Sequence, residues 1–225
     1  MNRIKPITIL IVLTVVSLGS CKDKADAYVE HTVTFQPPGD VGKDALLWTE
    51  LPDRTDGNST RISLMAGSWY SQGFDTGLRR SMLEFDLNSI PQDAEIVSAK
   101  LTLYNYTRVG QPQKDDKHIY YLNGGNEFYI ERITKYWEED NVTWNNQPSS
   151  TTNGRVLVAS TSSEREDKED IDLTEMVRYW LLHPSENHGI MLKLLNETTE
   201  RSAQFASSDH SDPAVHPKLV VVYKD

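Results

Sequence analysis

Cysteine is almost absent: Cys21 is the only one among 225 residues, which excludes a disulfide scaffold. Basic charge is also scarce, with 23 Lys and Arg against 33 Asp and Glu and a net charge of -10. Two of those bases, Arg3 and Lys5, precede Cys21, so 23 less 2 leaves 21 bases against 33 acids beyond it, a balance of -12. Binding to phosphate backbones draws most of its free energy from cationic neutralisation, so this sign argues against a nucleic-acid partner. No apolar run is long enough to cross a bilayer. The longest candidate, Pro6 to Ser20, has 15 residues, short of the roughly 20 that a spanning helix needs. Strong catalytic signatures are missing as well: there is no Gly-x-Ser-x-Gly, no His-Glu-x-x-His and no phosphate-loop motif. An enzyme is not expected, and no cofactor is required. What remains, 38% hydrophobic residues with 12 Gly and 10 Pro, is the composition of a folded globular chain and not of a collagen or a coiled coil.

The first 21 residues, MNRIKPITILIVLTVVSLGSC, run from two cations through an apolar segment to small residues before Cys21. This is the layout of a secretory signal. The ending Leu18-Gly19-Ser20-Cys21 resembles the bacterial lipobox, which implies that the Cys21 thiol carries lipid and that residues 1–20 are removed. Acyl chains would then hold the protein to a membrane as a peripheral domain, expected at the outer membrane and extracytoplasmic. Residues 21–31, with the charged run Lys22 to Asp26, read as a tether, and 32–225 as one folded domain.

From Thr32 onward, short apolar or alternating runs are separated by turn residues such as Pro37-Pro38-Gly39 and Asp56-Gly57-Asn58. Leu83, Phe85 and Leu87 alternate with Glu84 and Asp86, and Leu101 with Leu103, so each set predicts one inward strand face. Many strands with one good helix predict an all-β antiparallel sandwich. The helix is expected over Asp172 to His183, where Leu173, Met176, Val177, Trp180 and Leu181 form a stripe, Asp172 and Glu175 suit a capping box, and Pro184 stops the run. A weaker helical turn is expected at Ile130 to Trp137. Segments Gly67 to Ser71, Asn145 to Gly154 and Ser163 to Asp170 read as turns or polar loops.

Trp137, Trp144 and Trp180 lie in apolar contexts and are expected in the core. Trp69 and Tyr70, in a turn-like segment, are candidates for stacking on a sugar ring, and Arg79 and Arg80 for charge-assisted bonds to its substituents. Alternation predicts that only one of the two arginines reaches the surface. Oxygen donors at Asp44, Asn58 and Asp86 are candidates for a structural calcium ion. Glu138 with Glu139, and Asp209 with Asp212, are the acid pairs considered for glycoside cleavage. Asp209, His210, Asp212 and His216 cluster in the last loop without a standard metal-ligand spacing.

Three stretches carry a family resemblance. Arg80 to Pro91 followed by Ala94 to Tyr104, then Val142-Thr143-Trp144-Asn145-Asn146-Gln147-Pro148 preceded by Trp137-Glu138, then Asp172 to Val177 with Trp180 and Asn187-His188-Gly189-Ile190, resemble in order the hallmarks of DNRLRE-domain proteins, which overlap carbohydrate-binding module family 96. The resemblance implies an extracellular sandwich of jelly-roll type and a polysaccharide ligand, including acidic ones. Glu84 stands where that family often holds Arg, Lys or Gln. A lipid-anchored, non-catalytic carbohydrate-binding protein is therefore the leading expectation. The alternative is a structural or adhesive envelope lipoprotein that uses the same sandwich to contact a protein partner.

Overall fold

The computed structural model describes residues 28–57, 63–71, 74–105, 125–160, 166–197 and 201–225. Its described strands form two antiparallel sheets. The smaller sheet has the order β1-β11-β5-β8, built from β1 (Glu30–Phe35), β5 (Glu95–Leu103), β8 (Lys168–Asp172) and β11 (Lys218–Lys224). The larger has the order β10-β3-β4-β9-β6-β7, with β2 (Lys43–Trp48) also paired to β4. Its other members are β3 (Ser63–Ser71), β4 (Phe74–Glu84), β6 (Phe128–Ile133), β7 (Ser150–Val158), β9 (Ile190–Leu194) and β10 (Arg201–Ala206).

The main core lies between the sheets. Period-two alternation supplies it: Leu219 and Val221 of β11 are buried and stand opposite Leu101 and Ala99 of β5, while Phe128, Ile130, Ile190 and Leu192 come from the larger sheet. Leu83, Phe85 and Leu87 join this core as their alternation predicts, with Asp86 exposed. Each such side chain contributes roughly 1.5–3 kcal/mol on burial.

One helix closes the core, α1 (Thr174–Leu182), through Met176, Val177 and Trp180, with Leu173 just before it. Asp172 Oδ1 accepts the Thr174 amide at 2.9 Å. The expected capping box does not form, because Glu175 pairs with Arg178 instead. Arg178 also donates through Nε and one terminal nitrogen to the carbonyl of Ile96, at 3.0 and 2.7 Å, lashing the helix to β5.

A second, smaller core covers the opposite face of the larger sheet. Met191 lies between Ile190 and Leu192 in sequence but packs with Met82, Ala45, Leu47, Ile133, Trp137 and Val142, and Trp144 rests against this group. The segment 134–149 supplies its lid, held by the Trp137 indole N–H donating to the His188 carbonyl at 2.9 Å.

Four further expectations fail here. Ile130 to Ile133 is strand, not a helical turn: β6 pairs with both β9 and β7, and its residues divide between the two cores. Gly67 to Ser71 continues β3 into a hairpin with β4. Ser150 to Gly154 begins β7, and Lys168 to Asp170 begins β8. Both polar strands are bulged where they pair, and Asp170 takes a φ of 54°, so neither shows regular alternation.

Candidate functional site

Arg79 and Arg80 diverge as alternation predicts. Arg79 is 2% exposed and pairs with Glu50. Its guanidinium lies 3.9 Å from the centre of the Trp48 ring, and Arg54 approaches the same ring at 5.2 Å while pairing with Asp56. Burial pushes the Glu50 carboxyl up, but the Arg79 hydrogen bond and charge, together with hydrogen bonds from the backbone and Thr49, outweigh it and hold Glu50 below the usual carboxylate range. Arg79 therefore belongs to the architecture and not to a ligand surface.

Arg80 is the arginine that reaches solvent, with 20% of its side chain exposed. Its Nε and one terminal nitrogen donate to the two oxygens of Glu197 at 2.9 and 2.8 Å, and its other terminal nitrogen donates to Gln147 Oε1 at 3.2 Å. The guanidinium lies 4.7 Å from the centre of the half-buried Trp144 ring. Gln147 in turn donates to the Trp144 carbonyl at 2.8 Å. The turn beneath is locked by Asn146 Oδ1, which accepts the Thr143 amide at 2.6 Å. The result is a fixed planar array of donors and acceptors beside an indole.

The same face of the sheet carries a second polar group. Glu131 stands opposite Met191, and Tyr129 opposite Lys193. The buried Glu131 carboxylate accepts from Ser150 at 2.6 Å and Lys193 at 3.1 Å, with Arg155 at 3.6 Å. Burial pushes Glu131 up, and these partners more than reverse it. Arg155 also lies 3.6 Å from the centre of the Tyr129 ring.

The calcium candidates are regrouped. Asp44 is buried, but it meets Glu139 and Asp209, with one carboxylate oxygen from each lying within 4.8 Å of the others. Glu139 Oε1 accepts the Asp44 amide at 2.9 Å, and Asp44 Oδ2 accepts the Ser208 amide at 2.7 Å. Burial, with the like charges of Asp209 and Glu139, pushes the Asp44 carboxyl up to about 7. Glu139 is raised by burial too. Asp86 is outside this group: it is exposed and accepts the Asn88 amide at 2.9 Å. Of the last-loop cluster only Asp209 takes part. Asp212 accepts the Ala214 amide, and the His216 ring sits between the carbonyls of Pro37 and His210.

Trp69 and Tyr70 lie in β3, but their side chains, like Asn58 and Cys21, are outside the described residues. Sequence reasoning assigned Trp144 wholly to the core and passed over Gln147, Glu197, Lys193 and Arg155. The signal within reach was Trp144 directly followed by three amide side chains, Asn145, Asn146 and Gln147.

The model of carbohydrate-binding module family 96 matches residues 40–223. No curated protein matches the chain.

Proposed function

Because the chain belongs to carbohydrate-binding module family 96, we propose that it is a lipid-anchored, extracytoplasmic, non-catalytic polysaccharide receptor whose ligand lies along the outer face of the larger sheet. The observation that carries this reading is the Arg80 array. Its guanidinium is shared between a carboxylate and a carboxamide beside Trp144, all held by the turn below. Sugar hydroxyls both donate and accept, so paired carboxylate and guanidinium groups match vicinal hydroxyls well. The Tyr129, Arg155, Glu131 and Lys193 group repeats that chemistry on the same face. Each cation already has a carboxylate partner, which favours a neutral polysaccharide over a polyanion that would have to displace it.

Cys21 carries the anchor in this reading. Labelled palmitate should be incorporated by the wild-type chain and not by Cys21→Ser, and equal labelling of the two would remove the anchor. For the ligand, the test is retention of the protein on an array of neutral and acidic polysaccharides. Binding to a neutral polymer is expected. Absence of binding to every polymer would favour an envelope protein that contacts other proteins.

A further inference from the structure

Asp44, Glu139 and Asp209 reach one point from three distant parts of the chain: the start of β2, the turn after Trp137, and the loop after β10. Asp44 is 2% exposed, and the neighbouring acids Asp209 and Glu139 both bear on it as like charges. Lys43 acts on Glu139, but it is committed to Glu84 at 2.7 Å. Like charges gathered in a buried place oppose folding unless something positive joins them.

A second observation concerns Ser208. This residue is 1% exposed, and its amide is bonded to Asp44. Its hydroxyl lies near enough to the Asp44 carboxyl to favour the ionised form, yet it makes no aligned hydrogen bond of its own. A buried hydroxyl left this way beside the Asp44 carboxyl is a ready oxygen ligand. The surrounding backbone is shaped to hold these side chains in place. A Cβ on Gly39 would strike Asp209, one on Gly42 would strike Ser208, and one on Gly57 would strike Glu139.

We propose that Asp44, Glu139, Asp209 and the Ser208 hydroxyl form a calcium site that clips the β2 entry, the 138–142 turn and the loop after β10 together. All four donors are oxygen and the set is irregular; calcium accepts such sets, with six to eight oxygens in all, whereas magnesium demands a near-octahedral one. The ion would tie loops at the edge of the second core and is independent of the glycan reading.

The test is thermal unfolding and titration calorimetry on the full-length protein, first stripped with a chelator and then given calcium or magnesium. One calcium per chain is expected, with the midpoint rising by roughly 5–10 °C at about a hundredfold excess over Kd. Magnesium should give a smaller rise. Asp44→Asn and the less buried Asp209→Asn should each lose most of the calcium response, and Asp86→Asn should retain it. The absence of any calcium effect on the wild type would overturn the site, as would an undiminished response in Asp209→Asn.

Discussion

Arg79 and Arg80 are adjacent in sequence yet differ in what their loss should do. Arg79 is enclosed with Glu50 against Trp48. Removing it leaves a carboxylate that is only 12% exposed without its partner, so Arg79→Ala should cost about 3–5 kcal/mol in urea denaturation. Arg80→Ala breaks a partly exposed pair and should cost about 1 kcal/mol or less by the same measurement. Asp172 supplies the pH dependence. Its hydrogen bonds from Thr174 and the nearby Lys100 lower its carboxyl to about 2 from an ordinary 3.8. A depressed acid stabilises the fold above its unfolded value, and that contribution disappears as pH falls through the folded one. The stability advantage of the wild type over Asp172→Asn should therefore be constant above about pH 4 and shrink between about pH 4 and 2. A difference that stays flat to pH 2 would contradict this.

At the scale of elements, α1 depends on Trp180, which is 4% exposed. Trp180→Ala should cost about 3–5 kcal/mol, because a large cavity opens in the main core. Trp180→Phe should cost only about 1 kcal/mol: the indole N–H is buried without a hydrogen-bond partner, so no bond is lost with it. Gly189 enters β9 at a φ of 79°, and a Cβ there would strike the Leu83 carbonyl and the Glu84 backbone. Gly189→Ala should lower the thermal midpoint more than any single alanine placed on the exposed side of α1. The elements readable from sequence were those whose burial alternates. Leu101 and Leu103, and Leu83, Phe85 and Leu87, announce their faces, whereas the continuously apolar Leu219 to Val222 of β11 shows which side is buried only in the structure. β6 was misread because Ile130, Ile133 and Trp137 fall at helical spacing, although they serve two cores on opposite faces of one sheet. The end of β7 is legible in the apolar run from Val156, but its first half and most of β8 are not, because polar, bulged strands carry no apolar period.

The whole molecule is a two-sheet sandwich with a second core on its outer face, and the candidate sites lie around that second core. Their residues are far apart in sequence: Asp44 and Glu139 are separated by 95 positions, and Arg80 and Glu197 by 117. No local pattern announces such meetings. Asp44 and Arg80 were recognisable as chemistry-bearing residues, but their partners depend on strand register, which pairs β4 with β2 on one side and with β3 and β9 on the other. Polysaccharide binding on the outer face of the larger sheet is the proposal on which the functional reading stands. It is tested most directly by affinity electrophoresis of the wild type and Arg80→Ala through gels holding a neutral polysaccharide that the array identifies. Retardation of the wild type is expected, with at least a tenfold weaker effect for Arg80→Ala and equal thermal midpoints to within a few degrees. Equal retardation of the two proteins, or none for the wild type in any polymer, would contradict it.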